Sequence, residues 1–228
     1  MTRARSLFTH LRHLSVLLVG GGALLPAPLV AGETPALSFE KVFDTRGEPA
    51  SLNYSVRFFA AGIEHHLEVW REGDRRLRRR TDESVEIHAT RAPGAADFDL
   101  SVLDLKKRIH TRIERTNLYR IGNFTDWFDL AHGLRRPKGA FELVRASAPA
   151  DIAKPIEPCQ WFDLTEGSRT THVCWSARLR LPLMLVDASG TVQWQVTRVS
   201  TAALPGSTFV IDDKGYVRND ANQDIAGD

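Results

Sequence analysis

Cys159 and Cys174 are the only cysteines in a chain of 228 residues, and fourteen residues separate them. They flank a hairpin centred on Glu166-Gly167. If that dipeptide is a two-residue loop, strict antiparallel pairing sets Cys159 directly opposite Cys174, and Trp161 opposite His172. Residues so opposed have Cα atoms about 4.5–5.5 Å apart, within disulfide range, so in an oxidising compartment the bond should form. The other reading is a redox or nucleophilic cysteine served by His172. Redox pairs favour the close Cys-x-x-Cys spacing, which this pair lacks. Two cysteines are also too few for a four-cysteine zinc site.

The histidines that follow residue 31 are His65, His66, His88, His110, His132 and His172. His65 and His66 are neighbours on an expected strand, so they point to opposite faces and cannot chelate one ion together. No His-x-x-x-His or Glu-x-x-His pair occurs on the expected helix, and no metal site is expected. The run Arg75-Arg76-Leu77-Arg78-Arg79-Arg80 is the densest local charge. On a strand it divides into an Arg76/Arg78/Arg80 face and an Arg75/Leu77/Arg79 face. The first could meet phosphate, carboxylate or an acidic partner. Alternatively Glu64, Glu68, Asp82, Glu83 and Glu86 neutralise it across strands. There is no Gly-x-Ser-x-Gly elbow, Gly-rich phosphate loop or Ser-x-x-Lys motif, so neither a catalytic residue nor a cofactor is assigned. A hydrolase would need polar groups gathered in a cleft around His65, His110 or His172.

The elements that would position these residues alternate with period two. Leu52/Tyr54/Val56/Phe58, Ile63/His65/Leu67/Val69, Val85/Ile87/Ala89, Phe98/Leu100/Val102 and Ile109/Thr111/Ile113 each share a face. So do Val173/Trp175/Ala177/Leu179/Leu181 and Val192/Trp194/Val196. Hairpin spacing and Gly/Asp/Pro turns make this an antiparallel meander. One stretch departs from the rhythm. Thr125 can cap a helix over Asp126–Leu134 whose apolar face is Trp127, Leu130, Ala131 and Leu134, stopped by Arg135, Arg136 and Pro137. So short a helix must dock on something apolar to persist. The proline-rich stretch Ala146–Pro158 reads as a linker.

At the amino end Arg3, Arg5 and Arg12 precede the apolar run Leu14–Leu25, then Pro26, Pro28 and the small residues Ala31 and Gly32. This is the pattern of a cleaved secretory signal peptide over residues 1–31, and its twelve-residue apolar core is too short to span a bilayer. Cleavage leaves about 197 residues with 27 basic and 28 acidic side chains, so the formal charge of +2 becomes −1. The chain then reads as a soluble protein of the bacterial periplasm with no transmembrane span. Nucleic acid is not an expected partner. Residues 32–218 form the expected single domain, and 219–228 a polar tail.

A β-meander, one helix and further strands resemble the curled half-barrel of LolA/LolB-type lipoprotein carriers and their periplasmic relatives. The resemblance lies in Trp70-Arg71-Glu72-Gly73-Asp74-Arg75, in the helix Asp126–Leu134, and in Leu181-Pro182-Leu183 leading to Ala188-Ser189-Gly190. Phe209 with Gly215-Tyr216-Val217 completes it. It implies a mainly β (α+β) fold, a curled antiparallel sheet wrapped around a short central helix, with an acyl chain or other apolar ligand held between them. Glu33–Pro49 lacks the strong helical pattern of the usual lid, and the chain lacks the lipid-bearing cysteine of the receptor-type members.

The expected apolar cavity is lined by Trp127, Phe128, Leu130 and Leu134 of the helix and Val173, Trp175, Leu179, Val192 and Trp194 of the sheet, unless these side chains pack one another shut. Two functions follow. One is a periplasmic binding or accessory protein for a lipid, lipoprotein acyl chain or other apolar ligand. The other is an envelope-complex protein that docks an acidic partner on Arg76, Arg78 and Arg80.

Overall fold

The computed structural model describes residues 37–114 and 126–220. The expected signal peptide, the Thr125 cap and residues 221–228 of the expected tail fall outside them. A one-turn helix α1 (Phe39–Val42) precedes six strands: β1 (Ser51–Ala60), β2 (Ile63–Glu72), β3 (Arg76–Thr81), β4 (Val85–Thr90), β5 (Asp99–Asp104) and β6 (Ile109–Glu114). The helix α2 (Trp127–His132) comes next. Then follow β7 (Glu142–Ala146), β8 (Gln160–Glu166), β9 (Arg169–Ser176), β10 (Leu181–Asp187) and β11 (Val192–Ser200). A 3-10 turn (Gly206–Phe209) and β12 (Val217–Asp220) complete the order.

All twelve strands form one sheet, in the order β12-β6-β5-β4-β3-β2-β1-β11-β10-β9-β8-β7. Two antiparallel meanders, β1–β6 and β7–β11, are joined where β1 pairs with β11, and β12 adds to β6 in parallel. The ends β12 and β7 do not meet, so the sheet is unclosed. It is curled, as two adjacent helix residues show. Trp127 packs edge-on against Phe98, just before β5, with centroids 5.6 Å apart. Phe128 stacks at 6.4 Å on Trp175 of β9. Seven strand spacings separate β5 from β9, roughly 34 Å on a flat sheet. Only a sheet bent around α2 brings both within reach, which is the half-barrel expected from the sequence.

The alternation that defines the strands also sets what they bury. Leu52, Tyr54 and Val56 of β1, Leu67 and Val69 of β2, Leu77 of β3, Leu100 of β5 and Val196 of β11 join Trp127, Leu130 and Ala131 in one apolar cluster. A second contains Phe39 and Phe43 with Phe128, Leu134, Leu143, Phe162, Leu164, Val173 and Trp175. The segment before β1 therefore does cover one side of α2, by two aromatics four residues apart rather than by a long helix.

Several expectations are corrected. The hairpin loop is Gly167-Ser168, since Glu166 pairs with Arg169. Gly167 has φ +60°, a conformation that disfavours a Cβ, so the loop starts there and each strand moves one residue. Trp161 is thus opposite Cys174, and Asp163 opposite His172. The cysteines still bond: Cys159 lies just before β8, on the diagonal from Cys174, with Cα atoms 5.4 Å apart. The run Val173–Leu181 is not one strand. Ser176 Oγ accepts from Leu179 N at 3.0 Å and Arg180 takes φ +51°, turning the chain between β9 and β10.

The helix α2 is capped by Asp126, whose carboxylate accepts from Phe128 N at 2.7 Å. It ends at Gly133 in the left-handed region, ahead of the arginines and proline. Finally, the start of the expected linker, Ala146, belongs to edge strand β7, and residues 219 and 220 of the expected tail belong to β12.

Cys174 is fully buried in the larger cluster, and the bond closes a loop of about fifteen residues, worth about 3 kcal/mol in the chain-entropy account. A Cys174→Ser chain is expected to unfold at lower urea concentration by about that free energy. An unchanged midpoint would show that the bond constrains nothing.

Candidate functional site

A six-residue helix leaves most of its backbone carbonyls without intrahelical partners. In α2 the sheet supplies them. Tyr54 Oη of β1 donates to Ala131 O at 3.0 Å, and Arg79 Nη1 of β3 donates to Leu130 O at 2.9 Å. Arg71 of β2 lies beside them, its Nη1 3.4 Å from Ala131 O. Two guanidinium groups thus meet the negative end of the helix. Arg71 continues the apolar face of Leu67 and Val69 and is wholly buried.

Around Arg71 the bonds identify one tautomer. His132 Nδ1 lies 2.9 Å from Phe128 O, which can only accept, so Nδ1 carries the proton. Nε2 is then the acceptor for Arg71 Nη1 at 2.8 Å. Glu48, from the segment before β1, places Oε2 3.1 Å from Arg71 Nη2. Burial, followed by the Arg71 charge, depresses the His132 pKa and keeps the ring neutral. For Glu48, burial pushes the pKa up, but the positive charges of Arg71 and Arg91 work against it, and the carboxyl stays below its ordinary value. Ionised Glu48 and Arg71 with neutral His132 fasten the carboxyl end of α2 to the sheet.

Beside this anchor a groove of about 240 Å³ opens between the end of α2 and strands β1, β10 and β11. Phe58, Phe59, Leu185 and Trp194 make its apolar wall, while Arg79, Arg135, Asp129 and Gln193 supply polar groups. Trp194 is fixed by Nε1 donating to Pro182 O at 3.2 Å and by close packing on Gly133. Burial pushes the Asp129 pKa up, against the opposing bond from Arg136 N.

The nine expected cavity residues divide between the two clusters. Trp127, Leu130, Leu179 and Trp194 join the larger one, with Val192 packed against it, and Phe128, Leu134, Val173 and Trp175 the smaller. All but Val192 are buried, and of the nine Trp194 alone lines the groove. Phe58, Phe59, Leu185 and Arg79 were not among the nine. The β1 alternation already placed Phe58 on the inner face, and Arg79 shared a face with Leu77.

The Arg76/Arg78/Arg80 face lies on the other side of the sheet. Arg76 is held in two hydrogen bonds by Glu72, at 2.7 and 2.8 Å, and lies over the Phe209 ring. Arg78 and Arg80 both reach Glu86 Oε2, at 2.7 and 2.9 Å. Arg78 also donates to Thr208 O and stacks on Trp70. His88 Nε2 is 2.8 Å from Glu86 Oε1. Glu86 and His88 of β4 are themselves buried, and the 3-10 turn before β12 meets the neighbouring Arg76 and Arg78 of β3.

Burial raises the Glu86 pKa, and His88 and Arg78 more than reverse this, leaving it at about 2. A pH dependence follows. Glu86 and Glu48, both depressed in the folded chain, contribute stability that is complete above the ordinary glutamate range. It is lost as pH falls toward their folded values. His132, depressed from 6.5, begins to penalise the fold once pH drops below that value. Urea stability is expected to fall from about pH 6.5 downward and more steeply below about 4.5. The Glu86 share, on the order of 3 kcal/mol, should be absent from a Glu86→Gln chain. A flat profile between pH 7 and 4 would contradict these assignments.

Three further histidines each present Nδ1 to an aspartate: His65 to Asp82 at 2.8 Å, His110 to Asp213 at 2.8 Å and His172 to Asp163 at 2.7 Å. Among the described residues, no serine or threonine hydroxyl is hydrogen-bonded to any of the three. No group of three or more His, Cys, Asp and Glu side chains with metal-holding geometry occurs among them either. No described helix is long and apolar enough to cross a membrane.

The fold and groove thus define an unclosed, curled antiparallel sheet wrapped on a short buried-anchor helix. No family profile matches the sequence, and no curated protein matches it significantly. Among solved structures the chain is similar to MucB, at 16% identity over 82% of this chain and 66% of that one, with a TM-score of 0.42. It is similar also to MucB in complex with MucA(peri), at 14% identity over 78% and 59% of the two chains and a TM-score of 0.39. Against PNGF-II the identity is 11% over 78% of this chain and 32% of that one, with a TM-score of 0.32. The chain thus spans less than two thirds of the length of either MucB chain and about a third of PNGF-II.

Proposed function

We propose that this is an exported binding protein of the LolA/LolB-like half-barrel type, cleaved after residue 31 or 32. In the periplasm it holds the apolar part of a small amphiphile in the groove between α2 and strands β1, β10 and β11. The observation that carries this reading is the apolar wall of Phe58, Phe59, Leu185 and Trp194 facing the cationic Arg79 and Arg135 across about 240 Å³. That volume is below the usual range for a drug-sized ligand, so it suits one end of a chain rather than several whole acyl chains. Of the nine expected cavity residues Trp194 lines this groove, and the other eight pack in or against the two apolar clusters. The Cys159–Cys174 bond fits an oxidising compartment.

Docking of an acidic partner through Arg76, Arg78 and Arg80 is the second reading. Each of the three already faces a glutamate of its own chain, which leaves the groove as the better-supported site.

Native mass spectrometry of protein purified from the cell envelope tests the proposal. The expected result is a co-purifying apolar adduct. Leu185→Trp, which fills the groove, should abolish it while the melting temperature stays within a few degrees. An adduct-free native protein, or an adduct untouched by Leu185→Trp, would overturn it.

A further inference from the structure

The edge of the sheet at β6 is unusual in charge and in what covers it. Residues 106–112 read Lys-Lys-Arg-Ile-His-Thr-Arg, five basic groups in seven, running from the β5–β6 turn into β6. The strand on this edge is β12, which makes the sheet's single parallel pairing among the described strands. All four β12 residues are exposed, with Val217 68% exposed, so the strand adds backbone pairing while burying no side chain. Parallel pairing is slightly the weaker kind, and an unpaired edge is a template for another strand.

What holds β12 in place is mostly an acidic turn clipped onto basic groups. Asp213 accepts from Arg218 Nε and Nη2 at 2.9 and 3.1 Å, and its Oδ2 lies 2.8 Å from His110 Nδ1. Arg108 Nη2 donates to Lys214 O at 2.7 Å and lies over the Tyr216 ring, while its backbone carbonyl accepts from Val217 N at 2.9 Å. Two further pairs of the basic run are long and exposed, Lys107 with Asp104 at 3.8 Å and Arg112 with Asp99 at 3.7 Å. A depression of about 560 Å³ lies along the same edge, bounded by His110, Arg112, Asp213 and Arg218 with Asn219 and Asp220.

We propose that the β6 edge is a docking edge for an extended acidic segment of a partner protein, and that β12 with its Asp213 turn is the resident occupant which that segment displaces. The partner strand takes over the backbone bonds of β12, and its carboxylates take the place of Asp213 on the basic run, in the manner of strand addition to a sheet edge. Tethering gives β12 an effective concentration in the millimolar range, so the edge is masked until β12 is weakened or outcompeted. This site is separate from the groove and from the Arg76/Arg78/Arg80 face.

The test uses the full chain carrying Val217→Pro, which removes the donor to Arg108 O, together with Asp213→Asn, which loosens the clip. The probe is a labelled peptide with the sequence of residues 211–220; in the control peptide every aspartate is lysine. The opened chain is expected to bind the acidic peptide at least about tenfold more tightly than the native chain does. Binding should be lost with the lysine peptide and weakened in about 0.5 M salt. Equal binding to native and opened chains, equal binding of both peptides, or self-association of the opened chain in place of peptide uptake would overturn the proposal.

Hydrogen exchange on the native chain covers the case in which the double variant fails to fold. Amides of Ile109–Arg112 should exchange faster than those of β1 and β2, and saturating acidic peptide should slow them. Failure of the peptide to slow them would equally overturn it.

Discussion

An Arg71→Ala chain is expected to lose about 3–5 kcal/mol of stability, the largest effect of any single substitution outside the apolar clusters. The guanidinium is wholly buried, so its removal strands three groups at once. Glu48 keeps a charge 87% shielded from solvent without its counter-ion, His132 Nε2 loses its donor, and Ala131 O loses one of its two. For a domain of this size the loss corresponds to a fall in Tm on the order of 10 °C. The apolar clusters are untouched, so the deficit measures the polar anchor itself. Arg71→Met combined with Glu48→Leu should recover much of it, because removing both charges also removes the desolvation cost. If the double variant is as unstable as Arg71→Ala, the deficit comes from the stranded His132 Nε2 and Ala131 O rather than from the unpaired Glu48 charge.

Gly133→Ala is expected to cost about 2–4 kcal/mol and to impair the groove as well. Gly133 ends α2 with φ +70°, where an L-residue pays about 1–2 kcal/mol. A Cβ there would also overlap the Trp194 indole, and forcing an aromatic ring aside in a packed core adds about 1–3 kcal/mol. Because Trp194 forms one wall of the groove, its displacement should weaken ligand binding beyond what instability alone explains. Gly133→Ala with Trp194→Leu should regain the packing share of the stability loss but not the backbone share. Full stability of the single variant would mean that Trp194 does not press on this glycine.

The anchor and the groove differ in how far the sequence foreshadows them. Period-two alternation is a strong signal where one face of a strand is buried, and it locates β1 to β6 to within two or three residues. Extended by one step past Ile63, His65, Leu67 and Val69, the same alternation reaches Arg71, so the buried arginine was visible as a charge on an apolar face. Its partner Glu48 was not, because it comes from a segment without periodicity. The register of β8 on β9 depends on one backbone fact, that Gly167 rather than Glu166 opens the turn. Spacing of the cysteines gave the bond but could not give that register. The strand β7 lay at the head of a proline-rich stretch that read as a linker. The nine apolar residues expected around α2 fall into two clusters, a division that depends on Phe39 and Phe43, whose i,i+4 spacing in a short segment is a weak signal.

The charge pattern carried its own ambiguity. Splitting Arg75–Arg80 by strand face separated Arg79, which enters the core side and meets Leu130 O, from Arg76, Arg78 and Arg80, which do not. Whether those three meet outside acids or their own could not be read from composition. The cross-strand register places Arg80 opposite Glu86 and Arg76 opposite Glu72, so the chain supplies acids within reach of the patch.

The most direct test of the groove is titration of the protein with a medium-chain fatty acid brominated near its methyl end, read by tryptophan fluorescence. A chain end seated against Phe58, Leu185 and Trp194 predicts saturable quenching that is largely lost in a Trp194→Phe variant of native stability. Absence of saturable quenching, or quenching of equal depth in the Trp194→Phe variant, would contradict it.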